Sequence, residues 1–357
     1  MAASTKYNLP AATLALIVLV IMVALYGIDK FLAVQEHNEL EQEASSHCKA
    51  GQELMKEGKP RQAIVDFARA HAIDRSNREY QLSLATAQLA DGQLSAARST
   101  LDDVLDEDSN DGRANLLMAR LMAKDGHFKD ADSYYHRAIY GEWPPNSSSP
   151  TAKARLELAN MLVDHGSNQE LLSEVLLLDN EPAQDLATKK QIAALFLRGR
   201  SAQHAADAYR RLISEDPSDA YIFVGLGQAE ILAGNYHAAE NAFLNALRRR
   251  LDDAHIQAQL EMVAKLATLD PTVRRLSAAE KYRRSVAIRD LARNELNACF
   301  PNAAPVKPEK IQGPVNNEMA EARLDEAEQL WKHRQEDCRE PASPRDPLPL
   351  LMKKLAQ

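Results

Sequence analysis

Between residues 44 and 250 the apolar positions recur every three to four residues in short runs, broken at regular intervals by small residues. That period places one apolar stripe on each of a series of helices. The last segment reads LGQAEILAGNYHAAENAFLNALRRR, residues 226–250, and its layout returns along the chain. Counting back from Gly234, the same slot holds Arg200, Gly166, Gly126, Gly92 and Gly58, at intervals of 34, 34, 40, 34 and 34 residues. The residue opening each second helix is Ala63, Ala97, Ala131, Leu171, Ala205 or Ala239. Four further on stands a large residue: Phe67, Leu101, Tyr135, Val175, Tyr209 or Phe243. A small residue lies inside each first helix: Gly51, Ala85, Ala119, Ala159, Ala193 or Gly227.

Each slot has a physical reason. Glycine inside a helix costs about 1 kcal/mol relative to alanine, so a contact must require it. The small residue lets the two helices of a pair approach, and the large one is expected to fill the space between pairs. The glycine between helices supplies a positive φ that ends the first helix. One pair cannot bury its apolar face alone, so such units stack in series.

These positions resemble the tetratricopeptide repeat, a 34-residue helix–turn–helix. The best copies are GQELMKEGKPRQAIVDFARAHAIDR, ARLMAKDGHFKDADSYYHRAI and GQAEILAGNYHAAENAFLNAL. The resemblance implies an all-α fold, a right-handed α-solenoid of about six helix pairs over residues 44–251. Units fall near 44–77, 78–111, 112–145, 152–185, 186–219 and 220–253. The fourth and fifth copies are degenerate, with Leu171, Val175 and Arg200 in the wrong classes. The helix-ending proline is clear only as Pro217, and Phe223 stands near where family repeats often carry tryptophan. The six extra residues of the 40-residue interval, between units three and four, lie in GEWPPNSSSPT, residues 141–151, read as a loop. Asn146-Ser147-Ser148 there has the form of a glycosylation sequon, which a plain polar loop also explains.

Residues 11–28, AATLALIVLVIMVALYGI, carry no charge. As a helix they span roughly 27 Å, near the thickness of a bilayer core. A cleaved leader would need a small-x-small site, and Leu25-Tyr26-Gly27 is a poor one. The expectation is an uncleaved transmembrane anchor contacting the lipid bilayer, after a short tail of residues 1–10 and before an acidic stem, residues 29–43. Lys6 on the first flank slightly favours that end in the cytoplasm.

Beyond residue 251 the spacing changes. Residues 252–299 read as capping and C-terminal helices, one over 253–268 with Glu261 giving a polar outer face, and one opened by the capping-box sequence Ser277-Ala278-Ala279-Glu280. Residues 300–315 are a proline-rich linker, and residues 316–338 an amphipathic helix with Met319, Ala327, Leu330 and Trp331 on its apolar side. Packing on its own repeats is the preferred reading over docking to a partner. Residues 339–357 are a proline-rich tail with a short terminal helix that docks back or frays.

The net charge of -8 argues against a nucleic-acid partner, which would require a basic face. No phosphate loop, nucleophile elbow or metal-ligand spacing appears, so no enzyme, cofactor or metal is expected. Asp102-Asp103 and Glu107-Asp108 read as solvated helix ends, and Arg248-Arg249-Arg250 as cations meeting a helix C-terminus. The three cysteines are Cys48, Cys299 and Cys338. Were the two helices ending at Cys299 and Cys338 antiparallel, these cysteines would lie about 30 Å apart. A linker of about 15 residues reaches roughly 50 Å and permits parallel helices with the ends together. A Cys299–Cys338 disulfide is therefore open outside the cytoplasm, leaving Cys48 as a packing residue.

The resemblance further implies a concave groove, lined by first helices, that binds a segment of a protein partner. Its candidates here are Gln52, Met55, Leu82, Thr86, Leu116, Arg120, Leu156, Asn160, Lys190 and Arg198. The leucines suit an apolar segment or simply pack within the array; Arg120, Lys190 and Arg198 suit acidic flanks. The architecture resembles bacterial inner-membrane proteins whose repeats, outside the cytoplasm, assist envelope protein assembly or biogenesis. A cytosol-facing docking receptor for chaperones or precursor proteins is the alternative.

Overall fold

The computed structural model describes residues 11–145, 150–181, 185–250, 253–299, 314–338 and 347–356, with side chains from residue 19 onward. The tail of residues 1–10, the sequon at Asn146 and nearly all of both proline-rich stretches lie outside these. The described residues are helical, without a strand. They form two compact units, Met1–Met161 and Leu162–Gln357.

The first unit contains α1 (Ala11–Lys56), α2 (Pro60–Ile73), α3 (Arg78–Asp91), α4 (Leu94–Glu107), α5 (Gly112–Lys124) and α6 (Phe128–Tyr140). The unit boundary falls inside α7 (Pro150–His165). The second unit continues with α8 (Asn168–Asp179), α9 (Leu186–Arg198), α10 (Ala202–Glu215), α11 (Ala220–Leu232) and α12 (Tyr236–Leu247). It ends with α13 (Ala254–Leu269), α14 (Ala278–Ala298), α15 (Asn317–Asp337) and α16 (Leu348–Leu355).

Close contact inside the hairpins explains the glycines. A Cβ on Gly51 would stand 2.7 Å from the Phe67 ring, and one on Gly227 2.7 Å from Phe243. These large residues therefore seat against the small residue of their own hairpin, not in the gap between hairpins as expected. Tyr209 does fill such a gap: a Cβ on Gly225 of the next hairpin would lie 2.2 Å from its ring. Phe67 and Phe243 are 2% and 0% exposed, so each of these contacts is a core contact.

The turns differ from expectation at two places. Gly58, Gly92, Gly126 and Gly234 take φ between 72 and 82°, but Gly166 is not left-handed. There the stop comes from the next helix, whose Ser167 and Glu170 form a reciprocal capping box. Arg200 takes φ 59° despite its side chain. The hairpin closure at Arg200 is the same as at Gly92: Ser201 N–H donates to Phe196 O at 2.9 Å, as Gln93 N–H does to Gln88 O at 2.9 Å. A short Asx cap also recurs at the repeat period. Asn77, Asp111, Asp185, Asp219 and Asp253 each accept a hydrogen bond from the first turn of the helix that follows.

Helix α13 is not a polar cap that ends the packing. Ile256, Val263 and Leu266 are buried in a core shared with Phe243 of α12, Ile288 of α14, Ala327 of α15 and Leu351 of α16. The terminal helix docks: Lys354 Nζ donates to Gly234 O at 2.8 Å and pairs with the buried Asp270 at 2.6 Å. Ser277 caps α14, but only half of the expected box forms, because the Glu280 carboxylate is held by Arg283 and Arg284. Those two guanidiniums hold its pKa down to about 2.

Among the described residues no helix is long and apolar enough to cross a membrane. The first eight residues of the expected span have no described side chains. The acidic stem is helical, since α1 runs unbroken from Ala11 to Lys56.

A side chain at Gly92 would meet no neighbouring atom, so its cost is purely conformational. Gly92→Ala is expected to lose about 1 kcal/mol, and Arg200→Gly to gain about 0.5 kcal/mol by removing a left-handed Cβ. Denaturant titration followed by circular dichroism measures both.

Candidate functional site

The first unit carries a concavity of about 620 Å³ on the inner faces of its first helices. Six of the expected groove residues meet there: Gln52 and Met55 of α1, Leu82 and Thr86 of α3, and Leu116 and Arg120 of α5. Their convergence follows from the hairpin contact. With Gly51 against Phe67, and Ala85 and Ala119 buried in the corresponding places, the residue one position on, together with the one three back in α3 and α5 or four on in α1, lies on another face of each first helix. Leu82 and Leu116 are buried yet form part of this wall. Thr86 is exposed and donates to Leu82 O at 2.7 Å.

The lining also holds Lys56, Arg113 and Lys153, with Glu79 as its one carboxylate among the described residues. With Arg120 this makes four cations, on a chain whose net charge is -8. Arg120 is held by Glu157 of α7 through Nε and Nη2, both at 2.7 Å. That bidentate bond pushes the guanidinium pKa up, against the opposing effect of burial. Arg113 pairs with Glu79 at 2.8 Å, while its Nε is buried without a hydrogen-bond partner. Lys153 is exposed and has no carboxylate partner among the described residues. The concavity thus combines an apolar floor with positive groups that retain donor capacity.

The other expected groove residues do not join this site. Leu156 and Asn160 lie on α7, where Asn160 Nδ2 donates to Leu156 O at 2.8 Å. Lys190 and Arg198 belong to the second unit. Lys190 is tied to Asp219 at 2.7 Å and Asp216 at 3.3 Å, the turn that caps α11. Arg198 pairs with Asp164 at 3.1 Å. The second unit has its own concavity of about 510 Å³, lined by Gln228, His255, Gln259, Met262 and Lys265.

The arginine run after α12 does more than face a helix end. Arg249 stacks 3.9 Å over the Phe223 ring and Arg250 4.9 Å over Tyr221. Asp108 and Glu107 pair with Arg78 at 2.8 and 3.9 Å. Among the described residues no group of His, Cys, Asp and Glu could hold a metal.

Helices α14 and α15 run parallel. Tyr282 and Val286 pack with Ala320, Arg289 faces Glu326 at 3.8 Å, and Glu295 faces Arg334 at 3.6 Å. At the end of that ladder the Cα atoms of Cys299 and Cys338 are 5.7 Å apart and their sulfurs are joined. Cys48 is free and buried, and burial raises its thiol pKa.

Two family models described as tetratricopeptide repeat match the chain, over residues 54–121 and 191–256. Over these stretches the chain is similar to tetratricopeptide repeats. The first covers α2, α3, α4 and most of α5, and the second covers most of α9 and all of α10, α11 and α12. No curated protein matches the chain. Solved structures with a similar fold include YrrB, described as a tetratricopeptide protein with an unusual peptide-binding site. It shares 15% identity, covers 54% of this chain and 95% of its own, and has a TM-score of 0.44. Pseudomonas aeruginosa pilF shares 14%, with coverage of 64% and 99% and a TM-score of 0.46. A repeat protein of Parabacteroides merdae shares 15%, with coverage of 80% and 99% and a TM-score of 0.42.

A bond closing a loop of sequence separation 39 is worth about 4 kcal/mol in the chain-entropy account. Reduction, or Cys299→Ser with Cys338→Ser, is expected to destabilise the α14–α15 pair by that order. Hydrogen exchange of residues 278–337 with and without reductant measures it.

Proposed function

We propose that this chain is a membrane-anchored protein-interaction scaffold whose first unit grips an acidic, partly apolar segment of a partner protein. The observation that carries this reading is the basic, leucine-floored groove on an otherwise acidic chain. The apolar floor takes side chains of the partner, and Lys56 and Lys153, with the donor of Arg120 not held by Glu157, take its carboxylates.

The anchor is supported by the first part of α1. Leu19 to Ile28 present side chains such as Val23, Leu25 and Tyr26 at 61–69% exposure. A continuous apolar surface of this kind requires a cover, and a bilayer supplies one for an uncharged helix. The same helix enters the first hairpin without a turn. Gln52 then stands about 36 Å along the axis from Ile28 at ~1.5 Å per residue, so the groove has a fixed stand-off from the membrane. A Cys299–Cys338 bond favours an oxidising compartment, with the repeats outside the cytoplasm and a role in envelope protein assembly.

Selection of a random dodecapeptide display library on the full-length protein in detergent is expected to enrich acidic residues beside apolar ones. Lys56→Glu with Lys153→Glu then weakens the selected peptide at least tenfold, whereas Arg198→Glu in the second unit changes it little. No enrichment, or equal loss in both variants, contradicts the groove reading. For topology, a membrane-impermeant maleimide applied to intact cells carrying Cys48→Ser is expected to label the protein only after reduction. Labelling that requires permeabilisation places the repeats in the cytosol.

A further inference from the structure

The segment that lengthens the interval between the third and fourth units to 40 residues is more than a spacer. Its first residues fold back on the groove. Glu142 N–H donates to Asn110 O and Gly112 N–H to Glu142 O, both at 2.8 Å, a short parallel bridge that fixes the strap to the start of α5. Trp143 Nε1 donates to Ala138 O at 2.8 Å, which sets the indole orientation. The ring lies so close to α5 that a Cβ on Gly112 would be 2.4 Å from its nitrogen. Held this way, Trp143 remains half-buried and lines the concavity together with Pro150 and Lys153.

We infer that this insertion is a specificity element of the groove, in which Trp143 and Pro150 form an apolar wall for one side chain of the bound segment and Lys153 pairs with an adjacent carboxylate. The inference rests on the peptide-binding reading above and adds a selectivity position to it. Three features point to an occupant of that chemistry. The indole offers a fixed π-face on which an apolar side chain or a proline packs at little entropic cost. Its only polar atom is already satisfied by Ala138 O, so the face turned to the groove is purely apolar. Lys153 lies three residues after Pro150, exposed and without a carboxylate partner among the described residues, while the adjoining Arg113 keeps a buried Nε unpaired. Removing the wall should therefore relax the choice at one ligand position while leaving the remaining charge preference in place.

The probe is the dodecapeptide display library, presented in parallel to the wild type, Trp143→Ala and Trp143→Phe. The wild type selects an apolar residue next to an acidic one. Trp143→Ala is expected to lose that apolar preference and to bind the best wild-type peptide at least tenfold more weakly. Trp143→Phe, which keeps a ring, is expected to stay within about threefold. Wild-type enrichment with an unchanged consensus on Trp143→Ala overturns this inference and leaves the binding reading standing. No enrichment on the wild type overturns both. Should Trp143→Ala fail to fold, Trp331→Phe leaves Trp143 as the single tryptophan of the chain. The selected peptide must then shift its fluorescence, and an unchanged spectrum at saturation overturns the inference.

Discussion

The contact of a large side chain with a small one inside the first hairpin determines much of what α1 presents to solvent. Phe67 rests on Gly51, and the ring leaves no space for even a methyl group there. This contact fixes how far α1 and α2 stand apart and how α1 is rotated about its axis. Rotation matters because a helix turns about 100° per residue, so a rotation of that size exchanges one face for another. With Gly51 committed to Phe67, Gln52 and Met55 have one direction left, the groove. Buried Ala85 and Ala119 hold the corresponding places in α3 and α5.

Charge is then sorted around that frame. Many acidic residues serve the backbone at the junctions between hairpins. Asp111 and Asp219 cap first helices, and Asp74 and Asp216 close the preceding turns on Ser76 and Ser218. Their hydrogen bonds hold the Asp74 and Asp216 carboxyls below the usual aspartate range. The cations of α1, α5 and α7 instead gather along the inner face of the first unit. A basic groove on an acidic chain attracts acidic segments without becoming a general polyanion site.

Much of this was legible in the sequence, because a 34-residue period repeats the same packing problem and each solution uses the same residue classes. The helix pairs and the inner-face positions through Arg120 follow from it. Sequence reasoning failed where one residue departs from its class or where the partner is distant in sequence. Arg200 is left-handed because the hairpin closure demands it, and nothing in its own chemistry announces that. Lys190 sits at an inner-face position, but the Asp216–Asp219 turn takes its charge. The Asx caps were readable from their period and were missed. Trp143 was hidden in a stretch whose prolines and serines signalled only a loop; its contact with Gly112 depends on tertiary folding. Periodicity gives spacing, not the direction a ring points, so it does not tell Phe67 and Phe243, seated within their own hairpins, from Tyr209, seated between two.

The central claim is that the inner face of the first unit is where a partner segment binds. Hydrogen exchange of the full-length protein, with and without a saturating acidic–apolar peptide from the display selection, tests it most directly. The account predicts slowed exchange in α1 near Gln52, in α3 near Leu82, in α5 from Arg113 to Arg120 and at Trp143, with α4 and α6 unchanged on their outer faces. Protection confined to α4, α6 or the second unit, with none on the inner face of α3 and α5, would contradict it.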